Sequence, residues 1–88
     1  MEQSEFAEVL RKHKLWLVDK KSGEKADLRG RDLEYMNLSG AKLRLANFSG
    51  SNLSGADLSG SDFCYVDLRG VDFTCATLLN ANFEWCEV

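Results

Sequence analysis

The residues of this chain that could do chemistry are a set of regularly spaced aspartates, one histidine and three cysteines. Two carboxylates held close together can act as a general acid and a general base. Here, however, the aspartates follow a five-residue period, so the repeat itself places them, and we interpret them as solvated groups that stabilise turns. They are Asp27, Asp32, Asp57, Asp62, Asp67 and Asp72.

The histidine and the cysteines do not combine into a reactive site. His13 lies on the apolar side of a predicted helix, and we expect it to pack there rather than to catalyse a reaction. Cys64, Cys75 and Cys86 stand at three different positions of the five-residue unit, so they cannot converge on one tetrahedral metal ion. The glycines also follow the period and form no phosphate-binding loop. The sequence therefore predicts a protein that is not an enzyme, with no metal and no cofactor.

Composition excludes several further classes of protein. The net charge is −3, from 11 Lys and Arg against 14 Asp and Glu, which argues against general nucleic-acid binding. No apolar run approaches the roughly 18 residues of a membrane span, and the acidic N-terminus does not read as a secretory signal. An odd number of cysteines in this context indicates reduced thiols. We therefore expect a cytoplasmic protein that contacts neither nucleic acid nor membrane directly.

A five-residue repeat dominates the chain from Ala26 onward. Residues 26–85 divide into twelve consecutive units, each with leucine or phenylalanine at its centre. The residue two positions earlier is usually small, and the residue between them is mostly Asp or Asn. Helices repeat at about 3.6 residues and strands at about 2, so this chain must instead turn once per unit, with the small and central residues inside. The pattern predicts a solenoid.

The units, among them ADLRG, MNLSG, SNLSG and ADLSG, resemble the pentapeptide-repeat family, whose consensus is A-(D/N)-L-x-x. The resemblance covers about two thirds of the chain. It implies an all-β solenoid, a right-handed quadrilateral β-helix with four units per coil, in which residues 20 apart stack. The repeats would then form about three coils. Arg31 and Met36 depart from the pattern, because they stand where the first coil should have small residues.

Residues 1–25 are predicted to form an N-terminal cap, and residues 26–88 the β-helix. Ser4 is a candidate N-cap of an amphipathic helix over residues 4–13. The apolar run at 15–18 predicts a short strand. The HKLWL and GEKADL stretches also resemble the lead-in of some small bacterial and phage members of the family. The helix prediction rests on the spacing of Phe6, Val9, Leu10 and His13.

The other end of the solenoid shows no comparable cap in this sequence, and we expect its last coil to expose apolar side chains. We predict a homodimer joined end to end through these side chains, an arrangement that some members of the family it resembles adopt. The predicted dimer interface comprises Phe73, Leu78, Phe83, Trp85 and Val88.

One predicted outer column exceeds what the repeat requires. Leu45, Tyr65 and Trp85 stand 20 apart, at positions where other columns carry mostly glycine. Together with the neighbouring Arg44 they form a predicted protein-binding stripe. The alternative is that the column stabilises itself or packs against the N-terminal segment.

Charge is also unevenly distributed along the chain. Residues 1–45 have ten basic and eight acidic residues, a net of +2, whereas residues 46–88 have one basic and six acidic residues, a net of −5. The resemblance gives this asymmetry a meaning, because some family members mimic duplex DNA and inhibit DNA gyrase. We predict an acidic face formed by Asp57, Asp62, Asp67 and Asp72.

Three functions are compatible with these features. The leading hypothesis is a non-catalytic protein-interaction module, which dimerises through its last coil and binds a protein partner. The alternative is a DNA-mimicking inhibitor of a nucleic-acid-handling enzyme, either a topoisomerase such as DNA gyrase or a host-defence nuclease. A third possibility is a structural piece of a larger assembly. Salt distinguishes the first two, because a DNA mimic binds through charge–charge attraction, which salt screens and weakens.

Overall fold

One α-helix precedes a β-solenoid in this chain. The computed structural model describes residues 1–88. Helix α1 spans Gln3–Val18, and the first bridging residue of the solenoid is Asp27. None of the helical structure is both long and apolar enough to cross a membrane.

Helix α1 differs from the prediction at both ends. It begins at Gln3, so Ser4 lies inside the helix and does not cap it; the N-cap position is Glu2, without a side-chain hydrogen bond. At the other end, the 15–18 run continues the helix and does not form a strand. Helical spacing lets Trp16 stack on His13, with ring centroids 5.5 Å apart, a contact that an extended segment would lose.

The chain turns back along α1 before it enters the repeats. The N–H of Asp19 donates to the carbonyl oxygen of Leu15 at 3.0 Å and closes the last helical turn. Gly23 then passes so close to α1 that a Cβ at this position would collide with the helix backbone. This close return places Ala26, the first residue of the repeats, beside the helix.

The repeats stack through isolated parallel β-bridges, and all nine bridges join residues 20 positions apart. The N–H of Leu28 donates to the carbonyl oxygen of Asn47 at 2.8 Å, and the N–H of Asn47 donates to that of Ala26 at 3.1 Å. The same pair of bonds recurs from unit to unit. A 20-residue period built from five-residue units gives each turn of the solenoid four sides.

The central residues of the repeat form the core, as predicted. They are fully or almost fully buried from Leu28 to Leu68. The core then opens, since Leu78 is 41% exposed and Val88 is 96% exposed. The two departures in the first coil are accommodated differently: Met36 is buried, whereas the guanidinium of Arg31 leaves the core and pairs with Glu5 at 2.7 Å.

Where the residue before a centre is Asp or Asn, it stabilises the turn that follows, which confirms the interpretation of the repeated aspartates as groups that stabilise turns. In ten units its side-chain oxygen accepts the N–H of the residue two positions later. All twelve units end in a residue with φ between +59° and +72°, the left-handed region that favours glycine. At Gly55 a side chain is disfavoured for two reasons: the left-handed φ, and a Cβ that would lie 2.5 Å from the ring of Tyr35.

Helix α1 bonds to the backbone edge of the first repeats. The Gln3 amide donates to the carbonyl oxygen of Asn37 at 2.9 Å and accepts its N–H at 3.0 Å. The N-terminal amino group of Met1 donates to the carbonyl oxygen of Asp32 at 2.9 Å. Phe6, which is 2% exposed, joins the core from the helix. The helix and its N-terminal residues therefore satisfy edge groups that a preceding coil would otherwise bond.

Candidate interaction surfaces

The column of Leu45, Tyr65 and Trp85 forms an exposed apolar corner of the solenoid, which we call the apolar column. The exposed fraction rises along it, from 37% at Leu45 to 53% at Tyr65 and 72% at Trp85. The rings of Tyr65 and Trp85 are nearly parallel, with an interplanar angle of 16° and centroids 6.5 Å apart. The corner thus presents a continuous apolar strip to solvent.

The backbone of the apolar column makes its side chains unusual. Leu45, Tyr65 and Trp85 have φ values of +72°, +61° and +63°, in the region that is occupied at the other nine corners by six glycines and by Tyr35, Cys75 and Asn80. A left-handed conformation costs a bulky L-residue about 1–2 kcal/mol relative to its ordinary backbone. Glycine would avoid this cost, so folding alone does not account for three large apolar residues in one exposed column.

The side chain of Arg44, predicted to belong to the binding stripe, is engaged within the fold. Its guanidinium bonds the Asp62 carboxylate at 3.0 Å. Arg44, Cys64 and Glu84 stand 20 apart and form a second column beside the apolar column. Cys64 is buried there, and burial is the main cause that raises the pKa of its thiol. Glu84, the next residue of that column, is exposed, and its carboxylate forms no hydrogen bond or ion pair.

The far end of the solenoid is an apolar hollow of about 380 Å³. Its lining includes all five residues of the predicted dimer interface and adds two more. Sequence reasoning missed Leu79, which is 69% exposed beside this end. The unit ATLLN contained the signal, because it places leucine where most units have a polar residue. The lining residues are Leu68, Phe73, Leu78, Phe83, Trp85, Cys86 and Val88.

Backbone groups are also unpaired at this end. The N–H groups of Phe73, Leu78 and Phe83 form no backbone hydrogen bond, although the equivalent groups of earlier units all do. The same is true of the carbonyl oxygens of the three small residues two positions earlier, at Val71, Ala76 and Ala81. An open edge with unpaired donors and acceptors beside apolar side chains is able to pair with another chain.

The predicted acidic face does not exist as a single face. Asp57, Asp62, Asp67 and Asp72 are five residues apart, whereas the bridges show that residues on one side are 20 apart. The four carboxylates therefore lie on four successive sides and form a ring around the solenoid. Arg44 pairs with Asp62 and Arg69 with Asp67, the latter at 2.6 Å, so two of the four charges are partly neutralised.

His13 joins α1 to the solenoid through both ring nitrogens. Its side chain is fully buried, Nδ1 accepts the N–H of Ala26 at 2.9 Å, and Nε2 lies 2.9 Å from the carbonyl oxygen of Arg44. Because Nδ1 accepts, Nε2 carries the proton and donates to Arg44, which defines a neutral imidazole. Burial lowers the pKa of His13, and the charge of Lys25 contributes in the same direction.

The remaining chemistry-bearing residues do not assemble into a site. No group of three or more His, Cys, Asp or Glu side chains is placed to hold a metal ion. Cys64, Cys75 and Cys86 are all free thiols. The features of this molecule that could contact a partner are therefore its surfaces, namely the apolar column and the apolar hollow.

Comparison with known proteins gives consistent matches. A family profile described as pentapeptide repeats matches eight copies, over residues 24–60 and 51–87. The chain is similar to the solved structure of Rfr23, a pentapeptide repeat protein from the cyanobacterium Cyanothece 51142. The identity is 32% and the TM-score 0.54, and the match covers 72% of this chain and 40% of Rfr23.

A second similar structure is alr5209, a pentapeptide repeat protein from Nostoc Pcc 7120. Here the identity is 42% and the TM-score 0.52, and the match covers 68% of this chain and 54% of alr5209. The chain therefore spans about half, or less, of the length of these two proteins. No curated protein sequence matches it.

Proposed function

The chain belongs to the pentapeptide-repeat family, whose members fold as right-handed quadrilateral β-helices, and on this premise we propose that it is a non-catalytic protein-interaction module. The observation that carries the proposal is the apolar column. Its three large side chains are exposed in a backbone conformation that favours glycine. Exposed apolar groups that the fold does not need are typical of a contact surface for another protein.

We propose that the solenoid consists of about three coils and that α1 is its N-terminal cap. The 20-residue bridge period and the twelve units support this coil count. The buried ring of Phe6 and the bonds of Gln3 and His13 to repeat backbone support the capping role. Three free thiols support a reducing compartment, for which we propose the cytoplasm.

We further propose that this chain forms a homodimer through the apolar hollow. Burial of a large apolar side chain contributes roughly 1.5–3 kcal/mol, and association costs roughly 4–15 kcal/mol. The five predicted interface side chains are therefore of the right order to support a dimer. The unpaired backbone groups at the same end add potential hydrogen bonds between the two copies.

Light scattering coupled to size exclusion tests the dimer across a concentration series. We expect a mass near twice the 9.9 kDa of the chain. Leu78→Lys places a charge within the hollow and should shift the mass toward that of the monomer, whereas Val18→Lys, at an exposed position of α1 outside the hollow lining, should not. A monomer at tens of micromolar for the unmodified chain would contradict the proposal.

The role of the apolar column is tested by partner capture in 0.5 M salt. Tyr65→Ala combined with Trp85→Ala should reduce the amount of partner retained by at least about five-fold, because the main apolar contact is lost. Tyr35→Ala is the matched control, since Tyr35 is also exposed with left-handed φ but lies at another corner. Retention by the double variant equal to that of the unmodified chain would exclude the apolar column as the binding surface.

The alternative function is a DNA-mimicking inhibitor of a topoisomerase or a host-defence nuclease, and the net charge of −5 over residues 46–88 favours it. The same experiment distinguishes the two. Binding by a DNA mimic should collapse as salt rises and should be competed by duplex DNA. Binding through the apolar column should persist at high salt.

A further inference from the structure

The two tryptophans of the chain differ in their surroundings. Two ammonium groups lie over the ring of Trp16, with Nζ of Lys20 5.4 Å and Nζ of Lys25 5.8 Å from its centroid. Trp85 is 72% exposed and has no cation over either face. A tryptophan face attracts cations more strongly than the other aromatic rings do, so Trp85 offers an unused cation-binding face.

Two acidic residues, Glu84 and Glu87, lie close to Trp85 in the chain. Glu84 directly precedes Trp85 and its carboxylate has no partner, whereas the side chain of Glu87 is 68% exposed and forms one ion pair, at 3.4 Å from Nε of Arg69. Arg69 is the single basic residue of residues 46–88. The surface near Trp85 therefore has more negative charge than its own cations can neutralise, and it favours a positively charged ligand.

The shape of the surface selects among cations. Tyr65 and Trp85 present two nearly parallel flat faces, 6.5 Å between centroids, with the carboxylate of Glu84 in the adjoining column. A guanidinium is planar, stacks on aromatic faces and pairs with a carboxylate through two parallel hydrogen bonds. A lysine ammonium is not planar and cannot form two parallel hydrogen bonds to one carboxylate. We propose that Tyr65, Trp85 and the two flanking glutamates bind an arginine side chain of a partner protein segment.

This inference rests on the proposed function and specifies it, because it gives the protein partner a chemistry. Trp85 also lines the apolar hollow, so the partner segment and a second copy of the chain compete for this ring. The segment that docks on the apolar column contains an arginine that reaches Trp85, and apolar residues of the same segment cover Leu45 and Tyr65. The strained backbone of the column is then explained by the ligand: glycine at position 85 would remove the face on which the guanidinium stacks.

Fluorescence titration tests the proposal directly. Trp16→Phe leaves Trp85 as the single tryptophan reporter, and the probes are the blocked pentapeptides Gly-Arg-Gly-Arg-Gly and Gly-Lys-Gly-Lys-Gly. We expect the arginine peptide to change the Trp85 emission and to bind at least about five-fold more tightly than the lysine peptide. Glu84→Gln combined with Glu87→Gln should weaken the binding of both peptides. Tyr65→Ala should reduce the preference for arginine, and Tyr35→Ala should leave it unchanged.

Two results would overturn the inference: no binding of the arginine peptide, or equal affinity for the two peptides in both the parent and the Tyr65→Ala variant. In either case, if Tyr65→Ala with Trp85→Ala still loses partner capture, the interaction module stands and only the arginine assignment is wrong. If that double variant retains full partner capture, the interaction through the apolar column is itself wrong, whatever the peptides do.

Discussion

Leu58→Ala is expected to lower the free energy of unfolding by about 2–5 kcal/mol, and Leu78→Ala by less than about half as much. Both residues are unit centres on the same side of the solenoid, one 20-residue period apart. Leu58 is fully buried between Leu38 and Leu78, so its removal leaves a cavity that its neighbours cannot fill. Leu78 is 41% exposed, so water already reaches the space that its truncation would create.

Urea unfolding followed by circular dichroism measures this difference. Domains of this size are stable by only about 5–15 kcal/mol, so Leu58→Ala should shift the midpoint strongly. Leu58→Met, which nearly conserves volume, is the control and should cost less than about 1.5 kcal/mol. The Leu78→Ala effect should grow with protein concentration if the hollow is a dimer interface. Equal losses from both alanine variants in the monomer would contradict the burial gradient along the solenoid.

His13→Gln is expected to remove a pH dependence that the unmodified chain shows between about pH 5 and 7. The neutral ring accepts the Ala26 N–H and donates to the Arg44 carbonyl oxygen; a protonated ring has no acceptor for Ala26. Since burial lowers the pKa of His13 in the folded chain, the unfolded chain takes up this proton first as the pH falls. The contribution of His13 to the free energy of unfolding is therefore complete above pH 6.5, the ordinary pKa of histidine, and it decreases as the pH falls below that value.

Unfolding free energies at half-unit pH intervals test this. The slope for the unmodified chain should approach, but not exceed, about 1.4 kcal/mol per pH unit for one proton. His13→Gln should be less stable at pH 7.5 and nearly flat down to about pH 5. The carboxylates of Asp57 and Asp72 titrate below this window, because bonds from Ser59 and Thr74 lower their pKa values below the ordinary 3.8. A slope that persists in the His13→Gln variant would assign the effect to other groups.

The candidate surfaces were predictable to different degrees. The apolar column followed from the repeat, because residues 20 apart stack whatever their type, so Leu45, Tyr65 and Trp85 had to share a corner. Glycine at the equivalent positions of other units already marked these three as unusual. The engagement of Arg44 was not predictable, since its Asp62 partner lies 18 residues away on a neighbouring turn. The ring of aspartates was also predictable: since residues 20 apart share one side, Asp57, Asp62, Asp67 and Asp72, which are five apart, must lie on successive sides.

The sequence by itself determined the repeat, its inward and outward positions and the residues that stabilise each turn. These depend on contacts within a unit or one fixed period apart, so a regular pattern contains them. The tertiary structure decided where α1 ends, which backbone groups it bonds and what His13 holds together. Those contacts occur once, between a segment without a period and the first repeats, so no recurring pattern records them. Stacking of distant units also decided which charges are paired and which, like Glu84, remain available to a partner.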